Sequence, residues 1–99
     1  MDIKTQSVNF DADKELISFV EIKVGKLKQY FDNIVGVESF LKVEKSDSFE
    51  NKIVEIKVLL PGKELFVKKQ SKSFEEAADE SVEALRRQIV KYKEKLHSK

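Results

Sequence analysis

Residues 53–70, IVEIKVLLPGKELFVKKQ, leave this chain few options. The first eight alternate, with Val54, Ile56, Val58 and Leu60 on one side and Glu55 and Lys57 on the other. Alternation at period two, rich in β-branched residues, predicts a strand with one buried face. Pro61-Gly62 follows. Proline presets the first φ of a type II turn, and glycine accepts the positive second φ. Residues 63–70 then return as another strand and turn Leu65 and Val67 inward. A hairpin with one apolar face needs a covering layer, which the rest of the chain has to provide.

That layer starts at Ser73. Ser73-Phe74-Glu75-Glu76 has the form of a capping box: the serine accepts from the amide three residues on, and the glutamate reaches back. Phe74, Ala78, Ser81, Val82, Leu85, Ile89, Tyr92 and Leu96 then share one helical stripe. A second helix is predicted over residues 14–31, where Leu16, Val20, Val24, Leu27 and Phe31 recur at helical spacing, with Asp11 or Asp13 as its cap. Gly25 inside it costs roughly 1 kcal/mol relative to alanine, which the packing stripe overrides. Asp32, Asn33 and Gly36 end it. Residues 3–8 read as a short strand. Residues 37–45, VESFLKVEK, read as another, with Val37, Ser39, Leu41 and Val43 on one face. Residues 46–52 form a polar loop.

The order is therefore β-α-β-β-β-α. The predicted fold class is α+β: a two-layer sandwich, four-stranded sheet below, two helices on one face. The other face, carrying Lys42, Glu44, Glu55 and Lys57, is expected in water. The chain of 99 residues suits a single domain with one modest core.

Several chemistries are excluded or disfavoured. There is no cysteine, so disulfides and thiolate–zinc sites are out. The N-terminus has no long apolar run, and no stretch approaches the length of a bilayer span, so a cytoplasmic domain is expected. His97 is the sole histidine and stands near the terminus without a fixed acid or nucleophile, which reads as a surface residue. Ser71, Ser73 and Ser81 lack a base partner. Glu75, Glu76, Asp79 and Glu80 share one rigid helix without the loop that calcium sites use, so no metal is expected. Gly25, Gly36 and Gly62 are isolated and make no phosphate loop. Tyr30, Phe31 and Tyr92 fall at packing positions. Neither a catalytic constellation, a cofactor nor a small-molecule substrate is indicated.

The charge is nearly balanced at +1, yet the last sixteen residues hold Arg86, Arg87, Lys91, Lys93, Lys95 and Lys99 against Glu94 alone. Arg87, Lys91 and Lys95 line up at one edge of the apolar stripe, beside Ala84 and Gln88. Arg86 and Lys93 project from the other flank. Lys23 falls almost within the stripe of the first helix and Lys26 just beside it, so their stems must lie on the core and their ammoniums in water. If the flanks that meet carry them, Lys23 and Lys26 face Arg87, Lys91 and Lys95 across a groove. The plainer alternative is a dipole effect, since Glu75, Glu76, Asp79, Glu80 and Glu83 fill the first half of the same helix. That effect fades within the last turn, whereas the cations begin at Arg86, and it does not address Lys23 or Lys26.

The residues resemble the ribosome hibernation-promoting factor and ribosome-associated inhibitor family (sigma-54 modulation protein, S30AE), in its short form. Lys23 and Lys26 with Leu27, Tyr30-Phe31-Asp32 and Ile34 are similar to that family's first helix. Leu41-Lys42-Val43-Glu44-Lys45 is similar to its second strand. Ala77-Ala78-Asp79, Leu85, Arg87-Gln88, Lys91, Lys93, Lys95 and Leu96 are similar to its last helix. The resemblance implies a fold like a double-stranded-RNA-binding domain with an added strand. It implies a single ribosome-binding domain over residues 1–99, without the C-terminal dimerisation domain of long members. It implies binding to ribosomal RNA of the small ribosomal subunit, in the messenger and transfer RNA channel, and inhibition of translation by occlusion, with the free protein a monomer. The RNA contacts it implies are Lys23, Lys26, Arg87, Lys91 and Lys95, with Arg86 and Lys93 behind them. Ala84 departs from relatives that carry a base at that position. The alternative reading is a protein-binding adaptor that uses the exposed sheet face or the acidic half of the last helix.

Overall fold

The computed structural model describes residues 1–44 and 49–97, the last of these by its backbone only. The expected strand end at Lys45, the loop residues Ser46, Asp47 and Ser48, the tail cation Lys99 and the placement of the His97 side chain lie outside the described residues. The elements are β1 (Asp2–Val8), α1 (Lys14–Gly25), a short 3-10 helix (Lys26–Gln29), β2 (Gly36–Val43), β3 (Lys52–Leu60), β4 (Lys63–Ser71) and α2 (Phe74–His97). The strand order is β1-β2-β3-β4. β1 pairs parallel with β2, and the other two pairs are antiparallel. This is the α+β architecture expected, as a mixed four-stranded sheet with two helices.

Local chemistry explains the boundaries. Leu60 pairs with Lys63, so Pro61-Gly62 is a two-residue connection, and Gly62 takes φ +72° as the turn demands. The Leu16 amide donates to Asp13 Oδ1 at 2.8 Å, so Asp13 is the cap of α1. The Glu76 amide donates to Ser73 Oγ at 3.1 Å and starts α2. Gly36 is buried where β1 meets β2: an added Cβ would stand 3.2 Å from the Asp2 carbonyl oxygen. A side chain there would require the Asp2 backbone to give by a few tenths of an ångström.

The core lies between the sheet and the helices. Val37 and Leu41 of β2, Val54, Ile56 and Val58 of β3, Val20, Val24 and Leu27 of the first helical segment, and Leu85 and Ile89 of α2 are all essentially solvent-free. Each buried leucine or isoleucine contributes on the order of 1.5–3 kcal/mol. Phe10, just after β1, stacks on Phe74 at 5.3 Å between centroids and ties the sheet to the start of α2.

Four details differ from the expectations. The regular turns of the first helix stop at Gly25, and the chain tightens into the 3-10 segment before Tyr30. Leu96 is 55 % exposed, because α2 outruns the hairpin beneath it and Tyr92 is the last stripe residue to find cover. Val43, at the end of β2, is also exposed. Ile53 is buried on the face expected in water, where Lys42 and Gln70 flank it in register.

Candidate nucleic-acid interface

The two faces of the molecule differ in charge pattern. On the open sheet face, cations and anions alternate across the strands. Lys4 pairs in register with Glu38 and Glu38 with Lys57; Lys42 Nζ lies 3.0 Å from Glu55, and Lys57 Nζ lies 3.9 Å from Glu38. These pairs are half-buried but still touch water, so each contributes on the order of 1 kcal/mol or less. Their larger effect is to cancel any field that a polyanion would feel.

The helical face is different because of helix direction. β1, β2 and β4 run the same way, and α1 and α2 each follow one of these strands and return. The two helices are therefore parallel. Contacts between them advance together: Lys23 meets Asp79, and Phe31 meets Tyr92 edge-on at 5.6 Å. Both helices begin acidic, at Glu15 and at Glu75 and Glu76, and their basic stretches end on the same side of the molecule. Lys26 and Lys28 of the 3-10 segment, and Lys91, Lys93 and Lys95 of α2, are exposed there.

Which flanks meet is also settled, and it corrects one expectation. Lys23 and Lys26 do not face Arg87, Lys91 and Lys95 across a groove. The flank of α2 turned to α1 carries Asp79, and Lys23 Nζ lies 2.7 Å from its carboxylate while sitting 5.4 Å from the centre of the Phe19 ring. The opposite flank rests on β4, where the Gln88 amide reaches the Phe66 carbonyl at 3.5 Å. Periodicity placed each cation on its helix correctly, but the partner of each flank depends on how the helices dock on the sheet.

The cations are not equally free. Arg86 forms an ion pair with Glu83, three residues earlier on α2, with its Nε 3.1 Å from Oε2. That hydrogen bond, helped by the charges of Arg86 and then Arg87, holds the Glu83 carboxyl below its ordinary value, and it raises Arg86 in return. Arg87 is exposed and lies in a shallow depression with Lys69, Asp79, Glu80 and Glu83. Arg87 and Lys91 also edge a depression on the outward surface of α2, with Ala84, Gln88 and Val90. Lys91 and Lys95 line a concavity together with Lys63, Leu65, Gln88 and Tyr92.

Lys63 was not among the residues singled out from sequence. It opens β4, and its ammonium stands 5.8 Å from the centre of the Tyr92 ring. It is 29 positions from its ring, and no local pattern links the two. Among the described residues, no group of three or more histidines or acids is placed to hold a metal ion, and no helix is long and apolar enough to cross a membrane.

Residues 3–97 match the family described as Sigma 54 modulation protein / S30EA ribosomal protein. The chain is 31% identical over 96 residues to the ribosome hibernation promoting factor of Escherichia coli K12, covering 97% of each protein. It is 29% identical over 98 residues to the protein of that name from Pseudomonas putida, covering 99% of this chain and 92% of the relative. Among solved structures, it resembles a ribosomal subunit interface protein from Coxiella burnetii, with a TM-score of 0.83 at 25% identity over 94% of this chain and 98% of that one. It also resembles the N-terminal domain of Thermus thermophilus Protein Y, with a TM-score of 0.79 at 25% identity over 93% of this chain and 99% of that one. A match to the family from the first strand to the last helix, with full-length relatives and the same fold, means that this chain belongs to the Sigma 54 modulation protein / S30EA ribosomal protein family.

Proposed function

We propose that this protein is a ribosome hibernation factor. It binds the small ribosomal subunit in the channel that holds messenger and transfer RNA, and it stops translation by occupying that space. Family membership and the names of its relatives support the ribosome as partner. The observation that carries the choice of surface is the gathering of exposed cations where two parallel helices end, opposite a sheet face whose charges cancel. Arg87, Lys91 and Lys95 are the principal RNA contacts, with Lys26 and Lys93 beside them. Lys23 and Arg86 already hold Asp79 and Glu83, so they contribute less unless those carboxylates are displaced. Each cation seated on a phosphate releases condensed counterions, and recognition follows RNA shape more than base identity.

The test is sedimentation with ribosomes. Replacing Arg87, Lys91 and Lys95 together by glutamate is expected to abolish co-sedimentation while circular dichroism is unchanged. Retained binding by the folded triple variant would refute the surface. On heparin, the wild-type protein is expected to elute only at raised salt; flow-through would favour the protein-binding alternative.

A further inference from the structure

We propose that Lys63 is a further phosphate-binding residue, and that the concavity it shares with Lys91 and Lys95 seats one phosphate of the ribosomal RNA backbone. This rests on the RNA-binding reading above. Three lysines line the concavity, Gln88, Leu65 and Tyr92 complete its walls, and no acidic residue lines it. The depression that Arg87 shares with Lys69 is different, since Asp79, Glu80 and Glu83 line it too; the outward depression edged by Arg86, Arg87 and Lys91 has no lining carboxylate, but its Arg86 is already paired with Glu83. A monoanion with several acceptor oxygens therefore finds its donors without competition in the Lys63 concavity.

The site is also partly organised in advance. Lys63 Nζ is held over the Tyr92 ring, 5.8 Å from its centre. The ring is fixed in turn by Phe31, edge-on at 85°, and its hydroxyl reaches the Pro61 carbonyl at 3.5 Å. An ammonium already steered by its ring loses less freedom on meeting an anion than a freely swinging lysine does. The concavity lies on the β4 flank of α2, where Lys91 also reaches the outward surface beside Arg87, so successive phosphates of one strand can continue from it.

The experiment is the salt dependence of affinity for purified small ribosomal subunits. Lys63→Gln is expected to weaken binding roughly tenfold near 0.1 M salt and to lower the slope of log K against log salt by about one. Lys63→Arg keeps the charge and should keep the slope. Lys68→Gln, on the open sheet face, should leave both unchanged. Tyr92→Leu should weaken binding, and adding Lys63→Gln to it should cost less than Lys63→Gln alone. A Lys63→Gln protein with wild-type affinity and slope overturns this proposal alone, as does an equal loss from Lys68→Gln. Wild-type protein that fails to bind small subunits overturns the RNA-binding reading and this one with it.

Discussion

Individual side chains decide how much of the formal charge is usable. Arg86 is the clearest case, because Glu83 satisfies its guanidinium within the same helix. The hydrogen bond favours the ionised carboxylate, so the Glu83 pKa in the folded protein lies below that in the unfolded chain. The stability it contributes is present above the unfolded pKa and is lost as pH falls through the lower folded pKa. Following the Glu83 side-chain carboxyl by carbon NMR should give a midpoint below that of an ordinary glutamate. Arg86→Gln should move that midpoint up, and an unchanged midpoint would show that the pair does not persist in solution. This arrangement was half legible in the sequence. Glu83 and Arg86 stand three apart on a predicted helix, a spacing at which side chains meet. The Lys23–Asp79 pair was not legible, since it joins two helices whose docking no local pattern states.

Secondary-structure elements carried most of what could be read in advance. The hairpin of β3 and β4, the capping serine of α2 and the two helical stripes follow from period, turn chemistry and caps, all of which act within a few residues. The point at which α1 tightens at Lys26 had no such signal, because Leu27 suits either helical form. The exposure of Leu96 had none either: the stripe continues in sequence after the sheet has ended in space. The hairpin turn makes a direct prediction. Gly62 sits at φ +72° with open space around it, so Gly62→Ala would meet no clash and would isolate the backbone penalty. A loss of about 1–2 kcal/mol is expected from the urea midpoint at unchanged slope. No loss would mean that the connection relaxes to another turn type.

On the scale of the whole molecule, helix direction matters more than net charge. The protein extends 49 × 24 × 19 Å, so charges at its two ends lie more than a Debye length apart at ordinary salt. The association with small ribosomal subunits proposed above should therefore accelerate at low ionic strength despite the formal charge of +1. Stopped-flow rates falling at least about tenfold between 0.05 and 0.3 M salt are expected, and a flat profile would count against electrostatic guidance. Two helices laid side by side in the same direction, each sour at its start and alkaline at its finish, give the body a permanent polarity. A distant polyanion hardly pulls on such an object; it rotates it first, like a compass needle, so that the basic end arrives leading.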